Sequence, residues 1–154
     1  QQHLCPLLEN TDIVGVFLEI GGQRSWIIAI ELLFRLRPIG LRRKLRCGIA
    51  DMLHKGWFNK VLPGFLASHP GPVSFVNIDC DTYESSSYVL QQLGDRIQVG
   101  SVILFDEYYN YPNWREHEYK AWQEFVAQRK LSYRYIGFSS SRYHAAVQVT
   151  KTGQ

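Results

Sequence analysis

Few cysteines occur in this sequence, and their spacing excludes two common kinds of small domain. Cys5, Cys47 and Cys80 are odd in number and far apart, with no CxxC pair and no Cys/His pattern. A disulfide framework and a structural zinc site both need paired or closely spaced ligands. Because disulfides mark oxidising compartments, we expect a reducing, cytoplasmic location.

Long hydrophobic runs are also lacking. The longest, residues 26–34, contains Glu31 and is far shorter than the roughly 20 residues that a transmembrane helix needs. Residues 1–10 do not follow the charged, apolar and small-residue order of a signal peptide, and the first residue is not Met. We therefore expect no membrane partner, and a sequence that begins inside a longer chain.

Length and composition are those of one globular domain. The chain has 154 residues, of which 45% are hydrophobic and 20% charged, and such a chain can bury a core. We expect a single domain over residues 1–154, truncated or internally shortened. A homo-oligomer is compatible with this size.

Positive charge is concentrated in one segment, residues 35–46, which contains no acid. It holds six of the chain's 17 Lys and Arg residues, so the 14 acids outnumber the basic residues elsewhere: Arg35, Arg37, Arg42, Arg43, Lys44 and Arg46. Such a patch can contact phosphate, nucleic acid or an anionic surface. The alternative, a solvated loop or helix face, is the one we adopt, and we expect no nucleic-acid partner.

The apolar pattern alternates between segments of strand and helix length. Strands are predicted at residues 13–20, 49–53, 73–79 and 102–105, and helices at 25–36, 57–67, 82–93 and 114–129. Pro63 and Gly64 should bend or break the second helix. Residues 133–138 and 143–150 predict a C-terminal hairpin. The expected fold is α/β: a Rossmann-like open sheet, mostly parallel and covered on both faces, with an antiparallel C-terminal edge hairpin and without part of its N-terminal half.

Two of the predicted strands end in acids. Asp79 and Asp81 follow one, and Asp106 and Glu107 follow the other. Ligands of open α/β sheets bind beyond the carboxyl ends of the strands, and gathered carboxylates raise one another's pKa unless a cation joins them. Oxygen ligands of this kind suit Mg²⁺. The alternative is that these acids cap the following helices, and for Asp81 both interpretations stay open.

Residues 55–125 resemble the macrocin O-methyltransferase family, which modifies sugars of macrolide and aminocoumarin antibiotics. The resemblance rests on the motifs IDCDTYES, at residues 78–85, and FDEYYNYPNW, at residues 105–114. It implies a Rossmann-like enzyme that uses S-adenosylmethionine and Mg²⁺ to methylate a hydroxyl of a glycoside or similar small molecule. It also implies that Asp79, Asp106 and Glu107 bind the metal, and that Asp79 or Asp81 is the catalytic base.

The same resemblance implies donor-binding residues in two places. Gly56, Trp57 and Phe58 would hold the adenine, and Glu19, Gly21 and Gly22 stand at the family's first cofactor motif. The second strand, with its ribose-binding acid, has no counterpart, since residues 36–48 are basic and broken by Pro38 and Gly40. An aromatic cluster after the second acidic motif is either an acceptor wall or the ordinary packing of a loop: Tyr108, Tyr109, Tyr111 and Trp114. Trp57 and Phe58 are likewise either adenine contacts or core aromatics.

Two other functions fit parts of the sequence. Asp79-Cys80-Asp81 is a D-x-D motif, as in glycosyltransferases that hold a metal-bound nucleotide sugar, but this hypothesis assigns no role to Asp106 and Glu107. The second is a catalytically silent methyltransferase-like domain that binds a partner through its basic segment.

Overall fold

The structure is a computed structural model that describes residues 15–20, 23–28, 53–140 and 143–153. Over these ranges it is an α/β fold. The strands are β1 (Gly15–Ile20), β2 (Gln23–Ile28), β3 (Leu53–Lys55), β4 (Val73–Asp79), β5 (Ile97–Phe105), β6 (Ser132–Phe138) and β7 (Ala145–Lys151). The α-helices are α1 (Phe58–Ser68), α2 (Tyr83–Leu93) and α3 (Glu118–Arg129).

The strands of the described residues form one sheet in the order β3-β2-β1-β4-β5-β7-β6. Neighbours are parallel only in the pairs β2–β3 and β4–β5, and the other four pairs are antiparallel. The prediction of a mostly parallel sheet is therefore wrong for this part of the chain. The predicted C-terminal hairpin is confirmed, because β6 and β7 pair antiparallel at one edge.

The reversal begins at the connection between β1 and β2. Only Gly21 and Gly22 separate the two strands, and a two-residue connection can join antiparallel strands but is too short for a parallel crossover. The helix predicted for residues 25–36 is accordingly wrong over residues 25–28, which lie in β2. Its remaining residues, 29–36, lie outside the described part of the chain.

The segment β4–α2–β5 forms as predicted, with its two strands parallel and adjacent. Helix α2 begins after Thr82, whose Oγ1 accepts a hydrogen bond of 3.3 Å from the N–H of Ser85. Thr82 is therefore the N-cap, and the capping role considered for Asp81 is filled by the next residue. Asp81 itself has a positive φ of 57°.

Helix α1 runs through Pro63 without a break, so of the predicted bend or break the break does not occur. Proline removes one helical hydrogen bond, but Pro63 and Asn59, whose carbonyl loses that partner, are both exposed, so water can take its place. None of the helices in the described ranges combines the length and apolar character needed to span a membrane.

The core lies between the sheet and the three helices, which contact one another in chain order. Along β4, β5 and β7, fully buried residues mostly alternate with half-buried ones, which is typical of a sheet packed mainly on one face. The expectation of helices on both faces is therefore not met by the described residues. Trp122 of α3 is the largest fully buried side chain, packed on Phe105 at 5.6 Å between ring centroids.

Candidate functional site

The two acidic motifs meet at the carboxyl ends of β4 and β5, as the sequence predicted. We call this end of the sheet the acidic edge. Ile78 pairs with Phe105 in the parallel ladder. The N–H of Asp106 donates to the carbonyl of Ile78 over 3.0 Å, so Asp106 lies beside Asp79 on the neighbouring strand. Parallel strands with helical crossovers place their carboxyl ends together, which is why local sequence predicted this contact.

Glu19, the residue of the first cofactor motif that the structure describes, does not reach this edge. Because β1 is antiparallel to β4, Glu19 lies opposite Phe75, four residues before Asp79, and four residues of strand span about 13 Å. Gly15, at the start of β1, pairs with Asp79 instead. Gly21 and Gly22 lie outside the described residues. The structure therefore separates Glu19 from the acids.

The turn after β3 does lie at the acidic edge. Strand β3 is parallel to β2, and both run in the same direction as β4, because β1 is antiparallel to each of its neighbours. Lys55 pairs with Ile28, and Ile28 pairs with Gly15. Gly15 in turn pairs with Asp79, so the end of β3 is level with the end of β4. The three strand spacings from β3 to β4 amount to about 14 Å, so a broad strip of sheet edge separates this turn from Asp79.

The three residues of this turn have different roles in the fold. A Cβ on the buried Gly56 would collide with the side chain of Val61, so this position accepts only glycine without a shift. Trp57 is 45% exposed, whereas Phe58 is 7% exposed and belongs to the core. Trp57 is therefore the one aromatic side chain of this turn that can stack on a ligand.

Glu107 lies among other carboxylates at the acidic edge. Burial raises its pKa above the ordinary value, and the nearby charges of Asp81 and Asp106 raise it further. The same charges place these three acids within electrostatic reach of one another. The ionised form of Glu107 therefore lowers the stability of the folded protein.

We expect Glu107→Gln to stabilise the protein at pH 7 and to change little at pH 4. The pKa of Glu107 is raised in the folded state, so folding holds its proton more tightly, and wild-type stability falls as pH rises above about 4.5, the unfolded value. Because the side chain is half-exposed, the gain should be a few tenths of a kcal/mol. Urea unfolding at both pH values measures it, with the exposed Glu124→Gln as control. A gain of equal size at pH 4 would contradict this account.

A buried carboxylate that sequence reasoning did not select joins the two acidic turns. Glu118, the first residue of α3, is 0% exposed. Its Oε1 accepts from the N–H of Cys80 and its Oε2 from the N–H of Glu107, each over 3.1 Å. Burial raises the pKa of Glu118 well above its ordinary value, although these two hydrogen bonds oppose the shift. Glu118 lies inside the helix predicted for residues 114–129, where a glutamate usually faces solvent, so no sequence signal pointed to this role.

Asp106 has a protein partner. Its Oδ1 lies 3.0 Å from Nδ1 of His144, and the same nitrogen lies 2.7 Å from the carbonyl oxygen of Asp106. Sequence reasoning did not select His144, which precedes β7 and is level with Asp106 because Phe105 pairs with Ala145. A histidine therefore occupies the side of Asp106 that faces β7.

The acids have the right chemistry for Mg²⁺, since carboxylate oxygens are its preferred protein ligands. Their arrangement does not fit, because no three His, Cys, Asp or Glu side chains within the described ranges converge closely enough to hold an ion. The predicted trio of Asp79, Asp106 and Glu107 is thus adjacent without forming a coordination site. Magnesium accordingly has no step in the chemistry considered below.

The predicted acceptor wall is divided by the fold. Tyr108 is 2% exposed and belongs to the core, and Tyr109 donates a hydrogen bond to the carbonyl of Ser139. Tyr111 and Trp114 line a cavity of about 360 Å³. The hydroxyl of Tyr111 donates to the carbonyl of Glu107 over 3.0 Å, so this cavity adjoins the acids.

Comparison with known proteins identifies one related family. The model of the family described as Macrocin-O-methyltransferase (TylF) matches residues 50–136, which is more than half of the chain. This range contains both acidic motifs, the turn after β3, Glu118 and the aromatic cavity. No curated protein and no solved structure matches the chain.

Proposed function

Because the chain belongs to the Macrocin-O-methyltransferase (TylF) family, we propose that it transfers a methyl group from S-adenosylmethionine to a hydroxyl of a glycoside or similar small molecule. The observation that carries this proposal is the family match over the segment in which two neighbouring strands bring Asp79 and Asp106 together. The family match supports the reaction class, and the adjoining acids support its location at this end of the sheet.

Asp81 is the proposed proton acceptor. It is exposed, whereas Asp79 is half-buried, and its charge acts on Glu107 at the edge next to the aromatic cavity. When bound, S-adenosylmethionine supplies a methyl group on a sulfonium, whose sulfur keeps the electron pair of the broken S–C bond. The acceptor oxygen forms the new C–O bond as its proton passes to the Asp81 carboxylate, a general-base role.

Trp57 is the proposed contact for the adenine of the donor. An exposed indole at the carboxyl edge offers a flat apolar face, and aromatic rings bind such faces by stacking. About 14 Å of sheet edge between β3 and β4 leaves room for an extended donor between Trp57 and the acids. The acceptor would lie against Tyr111 and Trp114, whose cavity adjoins Glu107.

One observation favours a second function, a silent methyltransferase-like domain that binds without catalysis. The antiparallel direction of β1 separates Glu19 from the acidic edge, so this expected donor residue lies away from the acids. No structural observation favours the D-x-D glycosyltransferase.

Calorimetric titration distinguishes these functions. S-adenosylmethionine, S-adenosylhomocysteine and UDP-glucose are each titrated into the protein, with Mg²⁺ and with EDTA. Binding of S-adenosylhomocysteine supports the methyltransferase, binding of UDP-glucose supports the glycosyltransferase, and binding of neither supports the silent domain. Transfer of a labelled methyl group to macrocin, the glycoside in the family's name, then tests catalysis. A requirement for Mg²⁺ would show that the acids rearrange to hold the ion.

A further inference from the structure

We propose that Glu118 is a positioning residue that ties the two acidic turns together, so that Asp81 and Asp106 keep a fixed separation. Its consequence for catalysis rests on the proposed methyl transfer. The tie itself rests on one carboxylate that accepts one hydrogen bond from each turn.

The two hydrogen bonds are made just beyond the strand ends, where pairing between β4 and β5 no longer fixes the backbone. Cys80 directly follows β4 and Glu107 follows β5 by two residues, so their N–H groups lie beyond the parallel ladder. Cys80 is 2% exposed, and a buried N–H without a partner is destabilising. Glu118 therefore supplies the acceptors that the ends of both strands need.

The location of Glu118 makes the tie rigid. The side chain is fully buried and starts from the first residue of α3, whose N-terminus favours a negative charge. The rest of α3 is anchored in the core by Ala121, Trp122 and Phe125. Because this side chain is anchored on α3 and accepts a hydrogen bond at each oxygen, neither turn can shift without a shift of the helix.

Each tied residue is next to a predicted functional acid. Cys80 lies between Asp79 and Asp81, and Glu107 follows Asp106. The second turn is also held from the other side, because the N–H groups of Tyr108 and Tyr109 both donate to the carbonyl of Tyr143. Glu118 is the contact among these that links the second turn to the first.

The test compares Glu118→Gln and Glu118→Asp with Glu124→Gln. Glutamine keeps the size of the side chain but offers one oxygen, so its NH₂ faces one of the two N–H donors. Aspartate keeps the charge but is one methylene too short to reach both turns. Glu124 lies on the same helix, is exposed and accepts from the hydroxyl of Tyr83, so its variant controls for loss of a carboxylate on α3.

Amide hydrogen exchange by NMR measures the tie without any ligand. In Glu118→Gln the amide of Cys80 or of Glu107 should exchange about tenfold faster or more, and in Glu118→Asp both should, while the amides of Ile78 and Phe105 inside the ladder stay protected. Circular dichroism confirms that the variants are folded. Unchanged exchange at both amides in both variants would overturn the proposal.

Methyl transfer to macrocin measures the consequence for catalysis. We expect kcat to fall about tenfold to hundredfold in Glu118→Gln, as for a displaced catalytic group, with unchanged affinity for S-adenosylhomocysteine and with Glu124→Gln at the wild-type rate. Faster exchange with an unchanged kcat would show that the tie is structural only and overturn the positioning role. A wild-type protein that methylates nothing would count against the proposed function, and the tie would then stand or fall on the exchange rates.

Discussion

Replacing Asp81 by asparagine should lower the rate of the proposed methyl transfer about 10²- to 10⁴-fold, the usual contribution of a general base. Asparagine is the closest substitute, because it has nearly the same shape and tolerates the positive φ of 57° at this position. Folding should be unaffected, since the side chain is exposed and the following helix is capped by Thr82. The amide keeps hydrogen-bonding capacity but cannot take up the hydroxyl proton.

Asp95→Asn is the matched control for this variant. Asp95 is also an exposed acid, but it stands before β5 and so lies at the opposite end of the sheet, where it pairs with Arg129. Its variant should transfer methyl groups at the wild-type rate. Single-turnover rates with labelled S-adenosylmethionine separate the chemical step from binding. A wild-type rate in Asp81→Asn would remove Asp81 from the mechanism and direct attention to Asp79.

Replacing Trp122 by alanine should reduce the free energy of unfolding by about 3–5 kcal/mol, as expected for removal of a buried aromatic side chain. Trp122 is 0% exposed, and its ring contacts Phe105, Phe125 and Tyr133. Removal of the indole ring would leave a cavity beneath β5, the strand that directly precedes Asp106. Urea unfolding monitored by circular dichroism measures the loss.

Trp122→Phe should cost much less than the alanine variant. The phenyl ring keeps most of the aromatic contacts, and the substitution removes an indole N–H that is buried and has no hydrogen-bond partner among the described residues. Trp57→Ala is the control for loss of a tryptophan at an exposed position, with an expected change within about 0.5 kcal/mol. A loss in Trp122→Phe as large as in Trp122→Ala would contradict this account.

The sequence predicted the part of the site that depends on consecutive elements. An apolar strand, a helix and a second apolar strand form β4, α2 and β5, and such a unit brings its two strand ends together whatever surrounds it. The adjacency of Asp79 and Asp106 follows from that rule alone. The predicted C-terminal hairpin depends equally on local signals, a short turn between two apolar segments.

Local sequence leaves the role of a side chain open where its surroundings decide that role. Phe58 and Tyr108 stand in motifs that suggested ligand contact, yet both are buried in the core, while their neighbours Trp57 and Tyr109 are not. Motif position does not distinguish them, because burial depends on how the turn sits on the sheet. Local sequence also left open whether Asp81 caps the helix, since Asp81 and Thr82 are both good N-cap residues.

By itself, the sequence determined the family, the reaction class and the adjacency of the two acidic motifs, because these depend on residues close together along the chain. Only the tertiary structure decided the direction of β1, which moves Glu19 away from the acids, and the contact of Glu118 with two strand ends. Glu118 is 38 residues from one partner and 11 from the other. Such contacts arise from the packing of a helix on a sheet, which no local pattern encodes.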